Sequence, residues 1–293
     1  SKIVINEINK NHNLSNQILG LQNYYFFKNL FNSKVEIRKV INWFENQSLG
    51  KGWNYGSRTF YPNAISLGYQ GYTYFPQYMC LTPSKQEYDS KVVPETLLSM
   101  GKVYNNTRKE FCKYIKVKNA PALNYQYVFK EKNIKTPKNK RVLIILSGFL
   151  EDDTSLIQWC IESNLHKKNV KILIKEHPIL KIKIIKKYLD FFPSNYLVSN
   201  KNFLKSVLSS QYLICSGVTS SILELIVQKR FVIVPKVNPL DSIIFKKLKI
   251  NKNFKVLEKP RDLDKYLRYL PTYSYDKNYF FSKVTEKNLK IFT

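Results

Sequence analysis

The chain has no run approaching the ~20 consecutive apolar residues that span a bilayer, and its opening SKIVINEINKNHN lacks the apolar stretch of a secretory signal. A soluble, cytoplasmic protein is therefore expected. The four cysteines, Cys80, Cys112, Cys160 and Cys215, form no C-x-x-C pair. That spacing argues against zinc and dithiol motifs and leaves free thiols in a reducing compartment as the expectation. No RNP, KH or zinc-finger pattern occurs, and no internal repeat stands out. Histidine is scarce, with three residues, so the placing of each is informative. Acidic residues are outnumbered: 21 Asp and Glu face 48 Lys and Arg, for a formal net charge of +27. Such a field attracts nucleic acid, anionic lipid or phosphorylated substrates. The lysines are spread along a chain also rich in Asn and Ile, as an AT-rich genome would produce, so compositional drift competes with an anionic partner as the cause.

What is present is enough apolar residue, 44%, for ordinary packed cores in 293 residues, a length that fits two domains. NHNLSNQILGLQNYYFFKNLFNS has apolar residues near helical spacing. KVINWF reads as a strand that stops at Glu45-Asn46. SLGKGWNYGSRTFYPN reads as a helix with Leu49, Trp53 and Phe60 on its apolar face, and AISLGYQGY as a second strand. ETLLSMG is a third apolar stretch, followed by an expected helix, NNTRKEFCKYI. Polar, basic FKEKNIKTPKNK, from Phe129 to Lys140, reads as a linker and divides the chain into 1–130 and 131–293. Beyond it strands and helices alternate: RVLIILSG, TSLIQWCIESNLHKK, KILIKEH, PILKIKIIKKYLDFF, NYLVSN, NFLKSVLSS, QYLICSG, SSILELIVQK and RFVIVP. Continuous Ile/Leu/Val runs bounded by helices indicate parallel strands buried on both faces. The expected fold is α/β, with two Rossmann-like domains and the N-terminal one short.

In open α/β sheets ligands bind beyond the carboxyl ends of the strands. RVLIIL ends at Ser147-Gly148, ahead of Glu151, Asp152 and Asp153; KILIKE, which carries Lys175, ends at His177-Pro178. YLICS ends at Ser216-Gly217, followed by Val218, Thr219, Ser220 and Ser221, and RFVIV ends before Asn238 and Asp241. Pro178 suits the first turn of a helix, which puts His177 at a helix entrance, where it is either a phosphate or sugar ligand or a cap. Ser221 and Glu224 fit a capping box. The hydroxyls of Thr219, Ser220 and Ser221, with the close backbone approach that Gly217 permits, also suit a phosphate.

KEHP followed by SGVTSSILEL resembles the His-Pro and Ser-Ser motifs of bacterial GT-B glycosyltransferases that use CMP-activated sugars, the sialyltransferases and Kdo transferases of capsule and lipopolysaccharide assembly. The likeness covers mainly residues 141–245. It implies a GT-B-like chain whose two domains face a cleft, with His177, Ser220 and Ser221 holding the CMP phosphate and Glu224 meeting the ribose. Ser147, Gly148, Lys175, Pro178, Ser216, Gly217 and Thr219 complete the expected donor site. The first half, NWFENQSLGKGWNYGSRTFYPNAISLGYQGY, is similar to the acceptor-side domain of surface-polysaccharide glycosyltransferases, which implies that Glu45 faces the cleft. Glu45 is the first candidate for the catalytic carboxylate, with Asp152 and Asp153 as alternatives. The acidic-acidic-Gly motif typical of the sialyltransferases does not occur in the first half, which turns the expectation toward Kdo or a related sugar. No D-x-D-like metal motif sits at a strand end, so neither metal nor other cofactor is expected.

The expected partners are a CMP-sugar donor, a lipid-linked or oligosaccharide acceptor, and an anionic inner-membrane surface reached through the lysines of 181–187 and 246–249. Nucleic acid is not expected. A CDP-glycerol or CDP-ribitol phosphotransferase shares the His-Pro feature and stays open at this level. So does a non-catalytic nucleic-acid binder, for which the charge and 21 tyrosines speak.

Overall fold

The computed structural model describes residues 14–73, 79–130, 136–268 and 270–293. The opening segment 1–13 and residues 131–135 of the expected linker lie outside them. The helices are α1 (Leu14–Asn32), α2 (Ser48–Phe60), α3 (Lys85–Asp89), α4 (Tyr127–Lys130), α5 (Leu150–Glu162), α6 (Ile182–Ile185), α7 (Phe203–Leu208), α8 (Ser221–Val227), α9 (Ile243–Lys247), α10 (Lys277–Phe280) and α11 (Glu286–Leu289). The strands are β1 (Lys39–Trp43), β2 (Ile65–Gln70), β3 (Thr96–Ser99), β4 (Lys116–Asn119), β5 (Arg141–Ile145), β6 (Lys171–Lys175), β7 (Tyr196–Val198), β8 (Tyr212–Cys215), β9 (Val232–Pro235) and β10 (Phe254–Leu257).

Two compact α/β units result, each on an all-parallel sheet, as the two parallel α/β domains expected from the sequence require. One unit draws on Ser1–Tyr72, Tyr78–Asn124 and Phe281–Thr293, the other on Thr73–Gln77 and Tyr125–Phe280. Relative to a division at 130/131, Thr73–Gln77, Tyr125–Lys130 and Phe281–Thr293 change sides. The chain comes back to the first unit because Phe281–Thr293 has partners there: Ser282 N–H donates to Met100 O (2.6 Å), Ala122 N–H donates to Ser282 O (2.8 Å), and the Phe292 ring meets Tyr69 edge-on.

The first sheet runs β1-β2-β3-β4. Its strands alternate between two cores: Leu97 joins Phe44, Val93, Cys112 and Ile115, while Leu98 joins Leu67, Tyr69 and Ala120. The α1–α2 pair crosses at glycines. A Cβ on Gly52 would lie 1.7 Å from Gly20 O, and one on Gly56 3.0 Å from Tyr24 Cα. The backbones can approach this closely only where no side chain intervenes. This corrects the expected face of α2: its buried residues are Asn54, Gly56 and Ser57, whereas Leu49 is exposed. Another correction concerns 105–115, expected as a helix. The segment holds one 3-10 turn, Thr107–Lys109, and is otherwise irregular, with the buried Arg108 side chain over the Tyr72 ring and donating to Tyr72 O.

The second sheet runs β10-β9-β8-β5-β6-β7. The chain starts at central β5, steps outward to β6 and β7, then returns to the other side of β5 with β8, β9 and β10. That reversal is the doubly wound order, and its crevice opens at the carboxyl ends of β5 and β8. Val142, Ile144, Ile172, Ile174 and Ile214 are all buried, as strands covered on both faces require.

The Gly20–Gly52 crossing gives a direct test. Gly52→Ala forces backbone apart and should lower stability by about 3 kcal/mol, the upper end for overpacking, read as a lower denaturation midpoint. An unchanged midpoint means that the two helices separate at no cost.

Candidate functional site

The crevice of the second sheet gathers most of the residues expected there. After β5 the chain turns at Ser147-Gly148, and Gly148 takes φ +91°. Asp153 makes this turn. Its Oδ1 accepts from Ser147 N–H (2.7 Å) and Ser147 Oγ (2.8 Å), and its Oδ2 accepts from Gly148 N–H (2.8 Å). The Asp153 side chain is fully buried. Burial raises its pKa, and the hydrogen bonds from Ser147 and Gly148 only partly offset this. Asp153 is thus a turn-holding group, which is the correction to its place among the catalytic candidates: its carboxylate points into the protein. Helix α5 begins at Leu150, so Glu151, Asp152 and Asp153 occupy its first turn, where carboxylates are favoured.

His177 follows the adjacent strand β6. A Cβ on Gly148 would lie 2.5 Å from His177 Nδ1, so the imidazole rests against the glycine backbone. The helix expected to start at Pro178 does not form there. His177 and Leu180 close a tight turn instead (Leu180 N–H to His177 O, 3.3 Å). Helix α6 starts four residues after Pro178, with its Ile182 N–H capped by Glu176 Oε1 at 2.7 Å. Lys175 Nζ turns to the β7–α7 loop and donates to Lys201 O (2.7 Å).

On the other side of β5, strand β8 leads into the turn Ser216–Ser221. The Gly217 and Val218 N–H groups have no acceptor among the described residues. Ser220 is the N-cap of α8 without a side-chain cap bond, and Thr219 Oγ1 accepts from Ser221 N–H at 3.4 Å. The capping box expected between Ser221 and Glu224 is absent. Glu224 is buried instead, and burial pushes its carboxyl up to about 7. Ser216 Oγ is buried without a partner.

Asp241 lies beyond the next strand, β9, and was noted in the sequence only as a strand-end residue. It closes over this turn: a Cβ on Gly217 would lie 2.2 Å from Asp241 Oδ1. Its Oδ2 accepts from Asn238 N–H (2.8 Å), while Oδ1 is buried and unpartnered. Burial, reinforced by Asp152, raises its pKa to about 6. Asn238 Nδ2 reaches Asp152 Oδ1 at 3.4 Å, linking the β9 loop to α5. Four neighbouring strand ends therefore present Asp241, the Ser216–Ser221 hydroxyl turn, Ser147-Gly148 and His177 in one row.

In the first unit Glu45 follows β1. Its Oε1 accepts from Trp43 Nε1 (2.7 Å) and its Oε2 from Gln47 Nε2 (2.8 Å). The carboxylate is thereby oriented and retains lone pairs for a further donor. Nearby stands a charged group that sequence reasoning missed. Glu87 caps α3, pairs with Lys51 and accepts from Asn46 Nδ2. Burial works to raise its pKa, but Lys51, the Ser84 N–H and Asn46 together hold it below the usual carboxylate range. The signal that could have found it is the S-x-x-E spacing of Ser84 and Glu87.

The titration of Glu224 has a signed consequence. A carboxyl raised from 4.5 to about 7 stabilises the fold below pH 4.5, and that contribution is lost as pH rises through 7. The slope is about 1.4 kcal/mol per pH unit. Glu224→Gln should therefore gain on the wild type in denaturation midpoint as pH goes from about 5 to about 8. Parallel pH profiles would show that Glu224 is already charged in the folded state.

Neither a protein-family model nor any curated protein sequence matches this chain. Among solved structures it is similar to MurG of Acinetobacter baumannii, with a TM-score of 0.49 and 11% identity over 85% of this chain and 69% of that one. It is also similar to Arabidopsis thaliana UGT89C1 complexed with UDP, with a TM-score of 0.46 and 9% identity over 83% and 68% of the two chains.

Proposed function

We propose that the chain is a GT-B glycosyltransferase that takes a sugar from a CMP-sugar, Kdo or a related acid, and transfers it to a surface-glycan acceptor. One observation carries the reading. The reversal point of the second sheet collects a histidine seated on a glycine, a hydroxyl turn with free N–H groups, and buried oxygen atoms that lack partners. A buried polar atom without a partner costs about 1–3 kcal/mol, and a nucleotide supplies what these lack. Phosphate oxygens accept from the Gly217 and Val218 N–H groups, the Ser220 and Ser221 hydroxyls and the His177 imidazole. Ribose hydroxyls or a base amine donate to Glu224. The choice of cytidine over other nucleosides comes from the His-Pro and Ser-Ser resemblance.

In this reaction the acceptor hydroxyl attacks the anomeric carbon, the bond from that carbon to the phosphate oxygen breaks, and CMP leaves with the electron pair. The hydroxyl proton passes to a carboxylate, for which Glu45 is the first choice and Asp152 the second. The charge on departing CMP is met by fixed N–H and O–H donors. A lipid-linked acceptor at an anionic membrane fits the exposed Lys181, Lys183, Lys186 and Lys187 and the exposed Lys246, Lys247 and Lys249. Among the described residues no helix is long and apolar enough to cross a membrane.

CMP should raise the melting temperature, with UDP and GDP giving smaller shifts, and His177→Ala should remove most of the CMP shift while the unliganded protein melts as before. Equal shifts from all three nucleotides, or a larger one from UDP, would overturn the donor assignment. Single-turnover rates then assign the base. Glu45→Gln is expected to lose 10²-fold or more at unchanged CMP affinity, and Asp152→Asn much less. The reverse order moves the base to the second unit.

A further inference from the structure

At the carboxyl end of β1 the first unit holds a pocket of about 490 Å³, walled by β1, by α1 and by the start of α2. This volume lies within the ~300–1,000 Å³ usual for small-ligand sites. Its lining combines two indoles with amide and carboxylate groups: Trp43 and Trp53, Asn23, Asn42, Gln47 and Glu45. In a chain of net charge +27, none of the ten lining residues is a lysine or arginine. The cation nearest in sequence, Lys51, is engaged with Glu87 in a separate depression lined by Asn46, Thr82 and Ser84. The sole formal charge on the wall is the negative one of Glu45.

The indoles are held in place before any ligand arrives. Trp43 is about half exposed, at 48%, yet its ring is fixed by the bond from Nε1 to Glu45, by Tyr69 edge-on at 5.6 Å and by Tyr72 at 5.9 Å. Trp53 is stacked on Phe26 and met edge-on by Phe27 at 4.8 Å. Its Nε1 is buried and has no acceptor, although a buried indole N–H usually finds one. Rigid ring faces, an N–H in want of an acceptor, and amides that both donate and accept match the chemistry of a sugar. A pyranose offers C–H groups on its faces and hydroxyls on its rim.

We infer that this pocket is a subsite for an uncharged pyranose and disfavours sugars that carry a carboxylate. A sugar acid would meet Glu45 with no cation to neutralise it, and burying like charges together is costly. The inference rests on the transferase reading only in taking this ring to be part of the acceptor. A neutral sugar would then receive the transferred acid, with one hydroxyl set against the carboxylate that takes its proton.

The tryptophans supply a clean readout. Two of the three line this pocket, and Trp159 is buried in the core of the second unit. Methyl glycosides of glucose, galactose and N-acetylglucosamine, titrated into the full chain, should quench or shift the fluorescence with millimolar affinity. Methyl glucuronide and methyl sialoside should bind at least 10-fold more weakly. Trp43→Ala should abolish the signal, Trp43→Phe should keep binding within a few-fold, and Glu45→Gln should narrow the gap between neutral and anionic sugars. The inference is overturned if no sugar perturbs the fluorescence, if anionic sugars bind as well as neutral ones, or if Trp43→Ala binds unchanged. CMP melting shifts on the same samples separate the two readings. A CMP shift without a sugar signal sinks the subsite and spares the transferase; a sugar signal without any nucleotide shift does the opposite.

Discussion

The carboxylate of Asp153 takes three hydrogen bonds from Ser147 and Gly148 in the turn after β5, and in doing so bends the chain out of the sheet at Gly148. Because Gly148 has no Cβ and takes a positive φ, the His177 ring can rest on its backbone from the neighbouring strand. The same packing recurs one strand over, where Gly217 has no Cβ and the Asp241 carboxylate presses against it. Two glycines each leave a side chain's volume vacant, and in each case a functional group from an adjacent strand end fills it. The row of strand ends is therefore one linked arrangement whose spacing is set by backbone contacts.

The first unit follows similar logic with different material. Gly20, Gly52 and Gly56 draw α1 and α2 into backbone contact, and of the aromatic residues along those helices Phe27 packs its ring against Gly56 while others line the side of the seam. They stack on each other beside it, Tyr24 on Tyr55 and Phe26 on Trp53. An aromatic wall is the by-product of a glycine seam, and its Trp53 lines the pocket at the strand end that carries Trp43 and Glu45.

Much of the second unit was legible because strands covered on both faces must be continuous apolar runs, as RVLII, KILIK, YLIC and VIVP are. Edge strands give no such signal. β4 is the sequence KVKN and β10 is FKVL, and the apolar run is broken by the exposed Lys116, Lys118 and Lys255. The helix expected over 105–115 failed because burial of Arg108 against Tyr72, not a periodic apolar face, fixes that segment. At the candidate site, the strand-end rule found His177, Ser147-Gly148 and the Ser216–Ser221 turn together. It could not say which side chains are inward struts. Asp153 is tied to the turn it holds, Glu224 is buried, Asp241 is pressed on a glycine, and Asn238 reaches Asp152 from 86 positions away. Nothing in local spacing records that.

Phe281–Thr293 belongs to the first unit although all of Tyr125–Phe280 precedes it in synthesis. During translation the second unit therefore has its whole sequence available before the first has its last segment. Until then Met100 O and the exposed edge of Tyr69 await Ser282 and Phe292. The second unit's sequence is thus complete before that of the unit begun earlier, and the first unit cannot make its last contacts until Phe281–Thr293 has been added.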